Sequence, residues 1–245
     1  MGTFIINKIR KKLIFRGREM STKNNCFGEG IVFTISDYFL NFLMGSVYFW
    51  LLNIPLIMYL VMYSKEPSFV SKLFLFITLI PIFPAGSALL SVMGKLFKNK
   101  DVNITRDFFY AYKTNFIISI KVGLIQVCLF GIFYLEKRYM DSIEGLQFFR
   151  YLIEIFILIS ILINFYLFPI ISRFYVGVFD LYKLSIYYLI RKPYIGILAM
   201  IMIYLLGFIR YKLSFILALF FTSVLGYFVM SMMNNILIIL ESRIK

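Results

Sequence analysis

Histidine is absent from this chain of 245 residues, and cysteine occurs only twice. The side chain that most often serves as a general base at neutral pH, and as a metal ligand, is therefore missing. Cys26 and Cys128 show no metal-ligand spacing, and we expect no disulfide between them. The chain also lacks a GxxxxGKS or GxxxxGKT phosphate loop and the GxSxG, HExxH and CxxC motifs. The sequence thus predicts no metal, no cofactor and no catalytic activity.

Charged residues are also scarce, at 16% of the chain, whereas 61% of the residues are hydrophobic and 20% are aromatic. Soluble domains average about half apolar and about a quarter charged residues. A core of this size cannot bury the excess, so lipid must cover part of it. The composition predicts an all-α, polytopic helical membrane protein. The net charge of +14 does not indicate nucleic-acid binding, because the basic residues cluster beside apolar segments, where they meet anionic lipid headgroups.

Six apolar segments approach the length of roughly 20 residues that a membrane-spanning helix needs. They cover residues 39–63, 69–96, 116–135, 149–174, 194–209 and 213–240. The fifth segment is short, so the fifth and sixth form either a tight hairpin or a partly re-entrant pair. With six spans, most of the 26 Lys and Arg lie on one side of the membrane, which predicts that both termini are cytoplasmic.

We divide the chain into a basic cytosolic tail, residues 1–26, and one transmembrane helical domain, residues 27–245. The tail carries seven Lys or Arg among apolar residues that could form a surface-lying helix. Attraction to lipid headgroups explains this composition, and a specific binding element is the alternative.

Two cytosolic connections have the pattern of short amphipathic helices. In the first, apolar residues recur every four positions, at Ile104, Phe108, Tyr112 and Phe116. Asn103 is its predicted N-cap, and Asp107 suits the positive end of its first turn. In the second connection Asp180 is the predicted cap. Each helix is expected to end at the membrane interface and to lead into a span.

The first of these helices is the favoured partner-contact site. Its candidate residues are Asp107, Phe108, Phe109, Tyr112, Lys113, Asn115 and Phe116. A cytosolic amphipathic helix can dock into a groove on a partner protein. The alternative is a helix that lies on the membrane surface and packs against its own chain, with Asn115 capping the next span.

Prolines and small residues inside the spans form a second set of candidates, at Pro55, Pro81, Pro84, Gly86 and Pro169. Broken helices often mark binding sites, but kinks and close helix packing explain the same residues.

Lys121 and Glu154 are ionisable residues within spans and are therefore functional candidates by default. Both lie near span ends, close to opposite faces of the membrane. Snorkelling to the interface explains both, and we do not expect them to pair.

Several runs together resemble the YesL-like family of bacterial multi-pass membrane proteins. They are PAGSAL at 84–89, DFFYAYKTNF at 107–116, YLFPIISRF at 166–174, and the pair Asn53 and Pro55. The resemblance covers roughly residues 27–240. PAG stands where many relatives have glycine before proline and alanine. This resemblance implies a protein of the bacterial cell membrane that acts beside carbohydrate importers of the ATP-driven (ABC) type.

The expected function is therefore that of a non-catalytic accessory subunit, whose partners are the lipid bilayer and the permease subunits of such an importer. An autonomous small-solute transporter or channel is the alternative, because prolines interrupt the spans. A membrane enzyme acting on lipid or glycan would have to use polar residues such as Glu154, Asn164 and Tyr166, which nothing in the sequence links.

Overall fold

A computed structural model describes residues 14–15, 31–62, 69–98, 102–141, 147–212 and 215–244. The described chain is all-α apart from one two-residue strand pairing, as the composition predicted. Its helices are α1 (Ile31–Leu52), α2 (Ile54–Met62), α3 (Phe69–Leu79), α4 (Ile82–Lys98), α5 (Ile104–Asp141), α6 (Gln147–Ile171), α7 (Val178–Arg191), α8 (Tyr194–Lys212) and α9 (Phe215–Ile244).

Five of the described segments are long and apolar enough to cross a membrane. They are Ile35–Leu52, Phe74–Lys98, Ile104–Met140, Phe148–Ile171 and Phe220–Ser242. The bent pair Val178–Arg191 and Tyr194–Leu205 makes a sixth if it is one span. The chain is a polytopic helical membrane protein.

The first predicted span, 39–63, is broken at Asn53. The side-chain amide of Asn53 donates to the Phe49 carbonyl at 2.7 Å, which is the carbonyl that its own N–H would bond in an α-helix. The Asn53 N–H turns instead to the Trp50 carbonyl at 3.0 Å. Pro55 has no N–H to offer to the preceding turn. Pro55 was one of the predicted helix-break candidates, and the break lies two residues before it. Hydropathy alone did not show the break, because the chain is apolar on both sides of it.

The second predicted span, 69–96, is likewise divided between α3 and α4 by Pro81. Ile80 donates to the Ile77 carbonyl at 3.2 Å in a tighter turn, and α4 then starts after Pro81. Pro84 falls in the first turn of α4, where a missing N–H costs little. These prolines therefore begin a helix rather than kink its middle.

The first amphipathic helix and the third span, predicted as two elements, form one uninterrupted helix, α5, of 38 residues. At 1.5 Å per residue α5 is about 57 Å long, almost twice the hydrocarbon thickness of a bilayer. Asn115 lies in its interior and is buried, so it does not cap a span. Asn103 is the N-cap as predicted, because its side-chain oxygen accepts the Arg106 N–H at 3.2 Å.

The second amphipathic helix exists as α7, but its N-cap is Gly177 rather than Asp180. Asp180 lies in the first turn, where its charge still suits the helix dipole. After α7 the chain turns at Lys192 and Pro193, and α8 leaves at 87° to α7. α8 and α9 then pack against each other as an antiparallel hairpin.

One short antiparallel pairing joins the N-terminal tail to the connection between α6 and α7. Strand β1 (Ile14–Phe15) pairs with strand β2 (Phe174–Tyr175), with Ile14 opposite Tyr175. The rest of the predicted basic tail, residues 1–26, lies outside the described residues, and its lipid attraction stays a prediction.

Helix α4 lies in the interior of the bundle, where it contacts α1, α5, α6 and α9. Ala85, Ala88 and Met93 have no exposed surface, and the same face of the helix is buried along its length, at Pro84, Ser87, Leu89, Val92 and Leu96. The close approach comes partly from glycines on neighbouring helices. A Cβ at Gly123 of α5 would lie 2.3 Å from the Phe83 ring, which is itself stacked on Phe168 with centroids 5.9 Å apart.

Gly86 does not take part in this close packing, although it belonged to the predicted packing set. A Cβ at Gly86 would meet nothing within 4 Å, whereas Ala85, Ser87 and Ala88 beside it are buried as expected. Sequence reasoning marked the run of small residues correctly but could not tell which one faces away from the neighbouring helices.

The two glycines give a matched test of this packing. We expect Gly86→Ala to stabilise the protein by about 0.5–1 kcal/mol, because alanine restricts the unfolded chain and has room in the fold. Gly123→Ala should destabilise it by about 1–3 kcal/mol, because the added methyl group meets a ring that cannot move freely. Thermal unfolding in mild detergent measures both changes. Equal effects would show that α4 and α5 are less closely packed than described.

Candidate functional site

A cluster of charges ties several helices together at one end of the bundle, which we call the Glu241 end. The Glu241 carboxylate, near the end of α9, lies 2.5 Å from Arg173 Nε and 3.2 Å from Lys98 Nζ. Lys98 ends α4, and Arg173 follows α6, so one carboxylate joins three elements. The Arg173 and Glu241 side chains are only 14% and 17% exposed, which strengthens their attraction relative to a pair in water.

The electrostatics of the cluster follow from this partial burial. Burial lowers the pKa of the Arg173 guanidinium from its ordinary value, and the Glu241 carboxylate opposes that shift. Without the carboxylate the guanidinium would be desolvated and unpaired, which is costly. Glu241 therefore supplies the counter-charge that offsets the cost of partly burying Arg173.

The predicted contact segment of α5 begins at the same end, and its two faces have different roles. Asp107 pairs with Lys95 of α4 at 2.5 Å. Phe108 is fully buried in the core and Asn115 is 3% exposed, so neither offers a surface to a partner. Phe109, Lys113 and Phe116 are exposed, and Tyr112 is half-buried.

The helical period explains why the predicted stripe was only partly right. An α-helix turns about 100° per residue, so each step of four residues overshoots a full turn by about 40°. By Phe116 the stripe that began at Ile104 has rotated by about 120°, and the ring faces outward. The buried face instead runs through Ile104, Phe108, Ala111, Asn115, Ser119, Val122 and Gln126.

That buried face carries polar side chains into the bundle, and Gln126 is the centre of their largest network. Its side-chain amide donates to the Tyr182 hydroxyl of α7 at 3.1 Å. The Gln126 oxygen accepts from the Asn164 amide of α6 at 3.4 Å. Three helices thus meet at one amide that is 1% exposed.

Further along the same face, the Ser119 hydroxyl donates to the Ser87 hydroxyl of α4 at 2.9 Å. Some buried polar atoms nearby have no partner among the described residues, namely Asn115 Nδ2, Asn164 Oδ1 and Ser185 Oγ. Such atoms are costly in an apolar interior. They are therefore the atoms with hydrogen-bonding capacity to spare for a bound polar group.

Sequence reasoning named Asn164 only within the membrane-enzyme alternative, and it did not identify Gln126, Tyr182, Arg173 or Glu241. The sequence did contain a signal for Gln126, because Asn115, Ser119 and Gln126 follow the spacing of one helix face within an apolar segment. The Glu241 cluster has no such signal, because its members are far apart in the chain.

The prolines among the candidates do not converge on one site. Pro55 is exposed near the start of α2, whereas Pro84 is buried in α4. Pro169 is buried in the last turn of α6, where its carbonyl accepts the Ser172 hydroxyl at 2.7 Å. Their local role in the fold is to begin and end helices.

The two ionisable candidates are far apart, as expected. Lys121 is exposed on α5, and Glu154 pairs with Lys137 at 2.9 Å and with Arg150 at 3.8 Å, at the end opposite Glu241. Glu154, Asn164 and Tyr166 are not brought together, because the Tyr166 hydroxyl donates instead to the Lys192 carbonyl at 2.6 Å. Within the described ranges no group of three His, Cys, Asp or Glu could hold a metal ion.

Comparison with known proteins supports a family likeness for part of the chain. A family described as "Protein of unknown function, DUF624" matches residues 39–136. This range includes the runs at 84–89 and 107–116 but not the run at 166–174. The chain is similar to this uncharacterised family from α1 into α5. Searches of curated proteins and of solved structures gave no significant match.

The two ion pairs at the Glu241 end should differ in their contribution to stability. We expect Glu241→Gln to lower the free energy of unfolding by about 2 kcal/mol, since it leaves the buried Arg173 guanidinium without a counter-charge. Asp107→Asn should cost less than about 1 kcal/mol, because its partner Lys95 is largely solvated. Thermal unfolding of both variants in the same detergent compares them. A larger loss in Asp107→Asn would contradict this assignment.

Proposed function

We propose that this protein is a non-catalytic membrane subunit that associates with a bacterial carbohydrate importer of the ABC type. The resemblance to YesL-like proteins supports the choice of partner. The observation that carries the proposal is an exposed aromatic and basic surface on a helix that is firmly anchored from behind. We call it the α5 contact face and define it by Arg106, Phe109, Tyr110 and Lys113, all exposed.

The anchoring of the α5 contact face suits a docking role. Asn103 caps the helix, Asp107 holds it to α4, and Phe108 inserts into the core beside Tyr48, with ring centroids 5.6 Å apart. A helix that is already ordered loses little conformational entropy when it binds. Aromatic and arginine side chains are also the ones that contribute most to interface affinity.

The proposed orientation places the Glu241 end, and with it the α5 contact face, in the cytoplasm. Basic residues concentrate in the loops and helix ends of that side, as the positive-inside rule requires. α5 is long enough to cross the bilayer and still project beyond it. A cytoplasmic partner surface, such as that of a permease subunit, is then within reach.

Affinity purification from native membranes tests the proposal, and α5 itself supplies the control. Phe109 and Lys113 are an exposed aromatic and base four residues apart, and Tyr134 and Arg138 repeat that pair near the other end of the helix. Phe109 is 43% exposed and Tyr134 is 44% exposed. The two double variants to alanine therefore remove matched surfaces from opposite ends.

We expect the wild-type protein and the Tyr134→Ala, Arg138→Ala variant to retain importer subunits in mild detergent. The Phe109→Ala, Lys113→Ala variant should lose most of them, with about tenfold less recovered, which corresponds to about 1.4 kcal/mol. Mass spectrometry of the purified material measures recovery, and unfolding temperatures confirm that both variants fold. Purification of the wild-type protein without importer subunits would refute the proposal.

The second candidate function, an autonomous solute transporter, is favoured by the buried polar atoms along α5. Asn115 Nδ2 and Asn164 Oδ1 have hydrogen-bonding capacity without a partner among the described residues. Vesicles that contain only this protein provide its test. Solute flux that falls when Gln126→Leu removes the centre of the network would favour transport, and tight vesicles would contradict it.

A further inference from the structure

A small cavity lies where α7 ends. It encloses about 130 Å³ and is lined by Tyr187, Tyr188, Arg191, Lys192 and Ile239. The last residue belongs to α9, so the cavity lies between two helices that are distant in sequence. None of these lining residues is acidic, and two of them are basic.

The bend between α7 and α8 fixes the depth of this cavity in the membrane. The two helices meet at 87°, so only one of them can run along the membrane normal. α8 has no charged residue before Arg210 and, with 19 residues, is about 28 Å long, so it is the helix suited to cross. If α8 crosses the membrane, α7 lies nearly parallel to the membrane plane, and its end then lies at the level of the lipid headgroups.

The surface of α7 agrees with that position. Its inner face, with Leu181, Leu184 and Tyr188, is buried against the protein. Its outer face presents Phe179 and Ile190, which are 71% and 77% exposed, together with basic side chains. Exposed apolar residues combined with Lys and Arg are typical of a helix that lies in the membrane interface.

The two basic residues of the cavity are held in place, yet they retain binding capacity. Arg191 Nη1 donates to the Tyr187 hydroxyl, which leaves other guanidinium N–H groups for a ligand. Lys192 is clamped through its backbone, since its N–H donates to the Tyr188 carbonyl at 2.8 Å and its carbonyl accepts the Tyr166 hydroxyl. Its ammonium has no partner in the part of the chain that the structure describes.

The nearest carboxylate does not neutralise the site. Glu241 follows Ile239 by two residues, which turns its side chain about 200° around α9. It is already paired with Lys98 and Arg173. The charge of Arg191 and Lys192 is therefore not offset from that direction.

We propose that this cavity binds the phosphate headgroup of an anionic phospholipid. Arg191 and Lys192 contact the phosphate, the Tyr187 hydroxyl lies beside it, and the acyl chains extend past the apolar side chain of Ile239. Basic pockets between membrane helices at the headgroup level have the charge and depth that such lipids need. The bound lipid would lie between the end of α7 and α9 and so hold these two helices together.

Lipid titration of the delipidated protein in mild detergent tests the proposal. Native mass spectrometry counts bound phosphatidylglycerol, and phosphatidylcholine with the same acyl chains serves as the uncharged-headgroup comparison. Arg191→Gln with Lys192→Gln should weaken phosphatidylglycerol binding by about tenfold or more, since each base near an anionic headgroup contributes about 1 kcal/mol. The single variant Lys192→Gln, which keeps every backbone contact, should weaken it by about fivefold.

Arg138→Gln with Lys183→Gln removes one exposed arginine and one exposed lysine outside the cavity and is the matched control. We expect less than about a twofold change in this control. An equal loss in the control and the cavity variant would show general charge attraction and overturn the proposal. Inorganic phosphate that competes with phosphatidylglycerol at millimolar concentration would also overturn it, because the site would then select a soluble anion rather than a lipid.

Discussion

The close approach of α4 to its neighbours is the constraint on which the rest of the structure depends. Four helices contact α4, and lipid tails offer no hydrophobic drive for their association, so shape must supply it. Gly123 admits the Phe83 ring, and Gly94 admits Met230 from α9. Once α4 is enclosed in this way, the positions of α1, α5, α6 and α9 follow from it.

Buried polar groups are the second constraint on the bundle. Each of them must find a hydrogen-bond partner, because an unpaired polar group inside the membrane destabilises the fold. The Gln126 amide joins α5, α6 and α7, and Glu241 joins the ends of α4, α6 and α9. Both networks are internal, whereas the α5 contact face and the cavity beside Arg191 expose basic side chains at the surface. The two proposals concern those surfaces, and each can fail without the other.

Much of this architecture can be predicted from the sequence, and the features that cannot be predicted have physical reasons. Composition predicts the membrane class and the all-α fold, and the Asn103 cap follows from a local pattern. For α8 and α9 the sequence left a hairpin and a re-entrant pair as alternatives. Hydropathy does not predict the break at Asn53, because the break depends on one side-chain hydrogen bond. The prediction placed Phe116 on the buried face, which was wrong because positions four residues apart rotate progressively around the helix. The Glu241 cluster could not be predicted from the sequence, because its residues come from three distant segments of the chain.

The unbroken length of α5 has a mechanical consequence. A helix of about 57 Å that bears a contact surface at one end and the Lys137–Glu154 pair at the other behaves as a stiff rod. A partner that tilts its first turns by about 5° displaces the far end by about 5 Å. A displacement of one end of α5 would thus reach the other end without any relay of side-chain rearrangements.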